Sequence, residues 1–169
     1  KEPALRSGFP VDLSMHRTTA GGNVSLLSRL TGGGYFRVNT SNQEAYDQGV
    51  FDYNNGYYPA SGTSPAFHGY MWKRAKGYMD AVAYSGNGTA GRTISHSLGV
   101  VPEMIIVKCR SNTYSWYVYH AALGSNKYLQ LHETNAAGSG YWVWNDTSPT
   151  DSVFSVYSDG NTNATSENY

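Results

Sequence analysis

The stretch that decides the fold is Tyr84–Lys108, YSGNGTAGRTISHSLGVVPEMIIVK. Ser85, Gly86, Asn87 and Gly88 form a turn cluster, because Gly and Asn tolerate the positive φ that tight hairpin turns require. A strand is predicted before the cluster, over Tyr78–Tyr84, where Tyr78, Asp80, Val82 and Tyr84 share one face. Arg92 to His96 then alternates as a half-buried strand does, until Leu98 and Gly99 break it. Pro102 has no N–H for a ladder and suits the beginning of a strand. The apolar run Met104, Ile105, Ile106, Val107 that follows is the pattern of a central strand buried on both faces.

The segments YSGNGTAGRTISHSLGVVPEMIIVKCRS, WYVYHAALGSNKYLQLHET and VWNDTSP resemble a tandemly repeated domain found in large virion proteins of marine tailed phages. The resemblance covers Gly77 to Tyr169 well, and a more diverged copy covers residues 8 to 75. It carries glycine, aromatic and turn placement and no chemical signature. It implies a structural module of a tail or virion surface, outside any cell, without catalytic residues, and an alternating apolar strand following Tyr169.

Internal repetition is visible in the residues themselves. Gly8 to Leu13 falls against Gly99 to Met104, and Leu30, Tyr35, Phe36 and Val38 against Leu123, Tyr128, Leu129 and Leu131. Phe51 with Asp52 falls against Trp144 with Asn145. Two units follow, 1–76 and 77–169, each incomplete at an outer end: the first lacks a counterpart of Tyr78 to His96, the second a counterpart of His68 to Lys73. The expected class is all-β, two similar antiparallel sandwich-like units in tandem with almost no helix. The first unit is predicted to carry strands at Val11–Arg17, Val24–Leu30, Tyr35–Thr40, Val50–Tyr53 and His68–Lys73. A helical turn is expected at Ser41–Ala45 and an irregular loop over Tyr57–Ala66, and Val153–Tyr157 is a late strand of the second unit. A second unit that stops at Tyr169 is expected to have an open sheet edge there, filled by continuing chain or by a neighbouring subunit. The start at Lys1 without Met suggests a fragment of something longer.

Composition narrows the function. Lys plus Arg and Asp plus Glu number 12 each, so no basic field draws a nucleic acid. Charged residues are 14% against about 25% in ordinary soluble domains, and 15 Tyr and 19 Gly take their place. No apolar run spans a bilayer and no signal peptide is present. Cys109 stands alone, following a strand, and is expected as a small apolar residue of a sheet.

Trp116, Tyr119, Trp142 and Trp144 are the candidate glycan- or partner-contact aromatics, since each ring joins an apolar face to a polar tip. Core or inter-unit packing is the competing role for the tryptophans. Asp159, Asn161 and Asn163 alternate like oxygen ligands of calcium, but the glycine is at 160 and no acid follows at the twelfth position, so a polar loop is expected. Histidines 16, 68, 96, 120 and 132 are scattered singly and are expected on strand surfaces; no zinc spacing, nucleophile elbow or phosphate loop exists. Sequons at Asn23, Asn39, Asn87, Asn145 and Asn163 are silent in a phage protein. No metal or cofactor is expected. Expected partners are other copies of the chain, other virion proteins and host surface glycans. A structural virion module is favoured over a carbohydrate-binding sandwich, and both over a glycan-cleaving enzyme, which needs two carboxylates brought together in space.

Overall fold

The computed structural model describes residues 2–19, 21–46, 49–59 and 67–169. It is all-β: among the described residues there are thirteen short strands, one 3-10 turn at Arg29–Thr31 and one helical turn, α1 (Tyr141–Trp144). In the first part, β1 (Leu5–Arg6) pairs with β6 (Gly56–Tyr57). Beside them stands a five-stranded sheet of β2 (Leu13–Thr18), β3 (Ser25–Ser28), β4 (Gly34–Arg37), β5 (Ala45–Tyr46) and β7 (Phe67–Trp72), in the order β5-β4-β3-β2-β7. In the second part, β9 (Met104–Val107), β10 (Tyr117–His120), β11 (Lys127–Gln130) and β12 (Gly138–Ser139) form a sheet in the order β12-β11-β10-β9. It faces the pair β8 (Arg92–Ser95) and β13 (Val153–Val156). Every strand pairing among the described residues is antiparallel.

Each part closes around its own core. Val11, Leu27, Phe51 and Tyr57 are buried together in the first. The larger second core joins Ile94 of β8 and Phe154 and Val156 of β13 to Val107, Tyr117 and Tyr119 of the opposing sheet, with Val143, Trp144 and Tyr169. Alternation along the strands produces this: Ile105 and Val107 point inward with Tyr117 and Tyr119, whereas Met104, Ile106 and Val118 share the outer face. The meanders β2–β3–β4–β5 and β9–β10–β11–β12 run the same way, and Leu13 and Met104 open them. They differ at one edge: β7 lies on β2, and among the described residues nothing lies on β9.

Several expectations are corrected. The run Met104–Val107 is a strand, but it stands at the edge of its sheet with Met104 57% and Ile106 42% exposed. Tyr78–Tyr84 forms no ladder: Met79 turns back to Ala75, and only Tyr84 and Ser85 are paired, with Tyr169 and Asn168. Asp80 explains this, since its carboxylate accepts from Arg74 Nε (2.8 Å) and the Ser97 amide (2.7 Å), pinning the segment as a strap. Ser41–Ala45 is extended and enters β5, and Val50–Tyr53 keeps a single bridge to Tyr58. Phe51 and Trp144 both enter cores but neither sits on a strand, Trp144 lying on α1. Of the loop Tyr57–Ala66, Tyr57 ends β6 and residues 60–66 lie outside the described residues.

The edge expected to be open at Tyr169 is occupied by Tyr84. Their backbones exchange two hydrogen bonds (2.9 and 3.2 Å) and their rings stack at 5.1 Å. The Tyr169 hydroxyl donates to Gly160 O and accepts from the Ala164 amide, so the last residue is part of the core. Among the described residues no helix is long and apolar enough to cross a membrane.

Candidate functional site

The four candidate aromatics are not brought together on a surface. Tyr119 and Trp144 meet edge to face inside the second core, 6.0 Å apart, and Trp144 Nε1 donates to Lys127 O at 3.1 Å. Trp142 is half-buried on Tyr128, its indole lying over Gly140, where a Cβ would come within 2.4 Å of the ring. Trp116 is 3% exposed and joins the two parts of the chain. Its ring meets Phe36 of β4 edge-on at 5.4 Å, and its Nε1 donates to Thr40 O at 2.9 Å. Three of the four rings therefore have no face free for a glycan. Ring size decides this: in a chain with few aliphatic residues, the largest apolar side chains must fill the cores.

The seam that Trp116 begins continues through charged groups. Arg110 donates from Nε (3.1 Å) and Nη2 (2.9 Å) to Glu44 Oε2, and the Glu44 amide donates to Arg110 O at 2.9 Å. Backbone and side chain thus tie the same two residues. Glu44 reaches this position because residue 34 is Gly: a Cβ there would stand 2.2 Å from Glu44 Oε1. An open groove of about 520 Å³ runs along the seam between Tyr35, Arg37, Asn42, Gln43 and Thr113. The pairing of Arg110 with Glu44 has no sequence signal, since 66 residues separate them.

Below the seam, Lys108 is 7% exposed and folds its ammonium onto the carbonyls of Cys109 (2.9 Å), Asn112 (3.2 Å) and Tyr114 (2.7 Å). Burial pushes this lysine down to about 8. The three carbonyls give its ammonium a full set of acceptors, which holds the 109–114 loop. Cys109 is fully buried, its Sγ 3.7 Å from Glu167 Oε2. Hydrogen bonds from Ser111 and then Asn112 hold the Glu167 carboxyl below its usual range.

The remaining candidates are used within the fold. Asp159 Oδ1 accepts from the Asn161 amide and from Asn161 Nδ2, both at 2.8 Å, and Asn163 is fully buried, bonded to Asn87 and to Thr89 O. This is the polar loop expected, serving the Ser85–Gly88 turn. Among the described residues no three His, Cys, Asp or Glu side chains are placed to hold a metal. His16 departs from the surface expectation: it is buried, its Nδ1 2.8 Å from the Tyr57 hydroxyl. An accessible aromatic pair lies elsewhere, on β7. Tyr70 is 62% exposed and stacks on Trp72, 6.1 Å apart with 22° between planes. The alternation in HGYMWK places both on one strand face, so the signal was in the sequence.

A family model described as a domain of unknown function, DUF7483, matches residues 60–169, well over half of the chain. The chain belongs to this family. The DUF7483 match takes in the whole second part and also β7, the strand that completes the first sheet. No curated protein matches the chain, and no solved structure does.

Proposed function

We infer that this DUF7483 chain is a non-enzymatic structural module of a tailed-phage virion, two related units held in tandem, that builds the particle surface and supports attachment to the host. The observation that carries this reading is the seam. Phe36 on Trp116, Trp116 Nε1 on Thr40 O and the doubled Arg110–Glu44 contact give its largest ring and a paired charge to holding one unit on the other. Two guanidinium donors converging on one partly buried carboxylate oxygen, with the backbone bond between the same residues, resist rotation as well as separation, which suits a load-bearing spacer. The matching order of the two meanders supports a common unit, and the resemblance of the Tyr84–Lys108 stretch to a phage repeat supports the virion. Immunogold labelling of purified particles with an antibody to this chain is the test. Label on the tail or particle surface is expected, and particles devoid of label would overturn the reading.

Tyr70 and Trp72 favour a second role for the same module, binding of host surface glycans in place of the buried rings. Two near-parallel rings on one strand face present stacking surface with polar edges. On a glycan array the chain is expected to retain a defined set of sugars and to lose them on Tyr70→Ala. An unchanged array would exclude this face as the binding surface.

A further inference from the structure

The edge of β9 lacks what the equivalent edge of β2 has. Asp12 O accepts from the Arg29 amide, so the bonding alternation turns the N–H and C=O groups of Leu13 and Met15 toward β7, opposite Trp72 and Tyr70. In the second meander Glu103 O accepts from the Ala121 amide, and the same alternation turns Ile105 and Val107 toward β10. The main-chain groups of Met104 and Ile106 then point to the open edge. These are the positions that match Leu13 and Met15 in the two meanders. Met104, Ile106 and Leu131 also leave apolar side chains 57%, 42% and 41% exposed on the outer face. The usual protections are missing. β9 carries no charge and no Pro, and Lys108, which would guard its end, has its ammonium folded onto three carbonyls. The strands at the opposite ends of the two larger sheets, β5 and β12, are only two residues long.

We propose that the β9 edge is completed by β7 of a second copy of this chain, giving a head-to-tail series. This rests on the reading of the two units as related. β7 is the strand that fills this edge in the first unit, and its own far edge is unpaired among the described residues. With Trp72 and Tyr70 bonded to β2, alternation leaves the main-chain groups of Gly69 and Met71 facing outward. Those two stand against Met104 and Ile106 with no like charges opposed, and the joined sheet runs β5-β4-β3-β2-β7 into β9-β10-β11-β12 of the next copy. The contact extends the seam already formed on this face: Trp116, whose neighbour in the β10 alternation is Val118, is covered by the first unit, and Ile106 lies beside Val118 on the open side. Because the two edges differ, the contact is heterologous, and each docked pair offers one β7 edge and one β9 edge to further copies.

Sedimentation of the 169-residue chain over a range of concentrations tests this. A concentration-dependent ladder of dimer, trimer and longer species is expected, with amide exchange at Met104 and Ile106 slowing as it grows. Ile106→Lys, at an exposed side chain outside the core, is expected to be monomeric and to lose the ladder. Added in excess to the wild-type chain it still offers β7, so it is expected to cap the series as a heterodimer. A monomer at the highest soluble concentration overturns the proposal. So does a dimer that stops at two, or a ladder that Ile106→Lys leaves intact. None of these outcomes bears on the labelling of virions, and unlabelled virions leave the ladder untouched.

Discussion

Above pH 10 the second part of the chain is expected to unfold in one steep transition, with three tyrosines ionising as it does so. Tyr84, Tyr117 and Tyr169 all lie in or against its core, and burial raises each above the ordinary 10.0. The sign follows from proton counts. Above pH 10 the unfolded chain gives up these protons while the folded chain keeps them, so stability is complete below 10 and is lost as pH rises toward the folded values. Three such groups give a slope approaching about 4 kcal/mol per pH unit, enough to exhaust the stability of a small domain within a few units. Hydroxyl contacts add to it, since Tyr84 donates to Thr162 O and Tyr169 to Gly160 O, both at 2.7 Å, and a phenolate can donate to neither. Lys108 acts in the opposite direction over a lower window. Its value is depressed to about 8, so between 8 and 10.5 the unfolded chain holds the proton longer and rising pH favours the fold. Stability should thus increase modestly from pH 8 toward 10 and then collapse. Tyrosinate absorbance recorded beside circular dichroism checks it; ionisation of these three tyrosines with the β signal intact would refute the assignment.

Replacing Trp144 by Ala is expected to cost about 3–5 kcal/mol, among the largest effects of any single change in the chain. Trp144 is 2% exposed, meets Tyr119 edge to face, and its Nε1 satisfies the carbonyl of Lys127. Truncation removes all of that and leaves a cavity between α1 and the sheet. Trp142→Ala, two residues away on a half-exposed ring, is the control and should cost clearly less. Urea denaturation of both variants gives the comparison. Equal losses would mean that the core does not depend on the ring at 144.

These two tryptophans also show where sequence reading reached its limit. The Trp residues and Tyr119 were candidates for contact with a ligand because strand alternation alone cannot say which face is wet. Only the second sheet, β8–β13, packed over Tyr117 and Tyr119, made theirs the inner face. Trp116 points the other way, and what covers it is Phe36, 80 residues earlier in the chain. The strap at Tyr78–Tyr84 looked like a strand because its side chains alternate, yet Asp80 found three partners that no ladder offered.

Local chemistry was enough for the rest. Turn residues at Ser85–Gly88, β-branched alternation at Arg92–Ser95 and the apolar run Met104–Val107 each specify their conformation through neighbours in sequence, so the all-β class and most strand positions were determined by the sequence alone. The match of Gly8–Leu13 with Gly99–Met104 is a likeness of residues, and each of the two stretches leads into the first strand of a meander. What only the tertiary structure decided is which edges and faces those strands leave open. The run Met104–Val107 reads as a central strand buried on both faces, yet it stands at a sheet edge with Met104 and Ile106 exposed. Edge and centre differ by a long-range pairing whose closure no short stretch of sequence encodes.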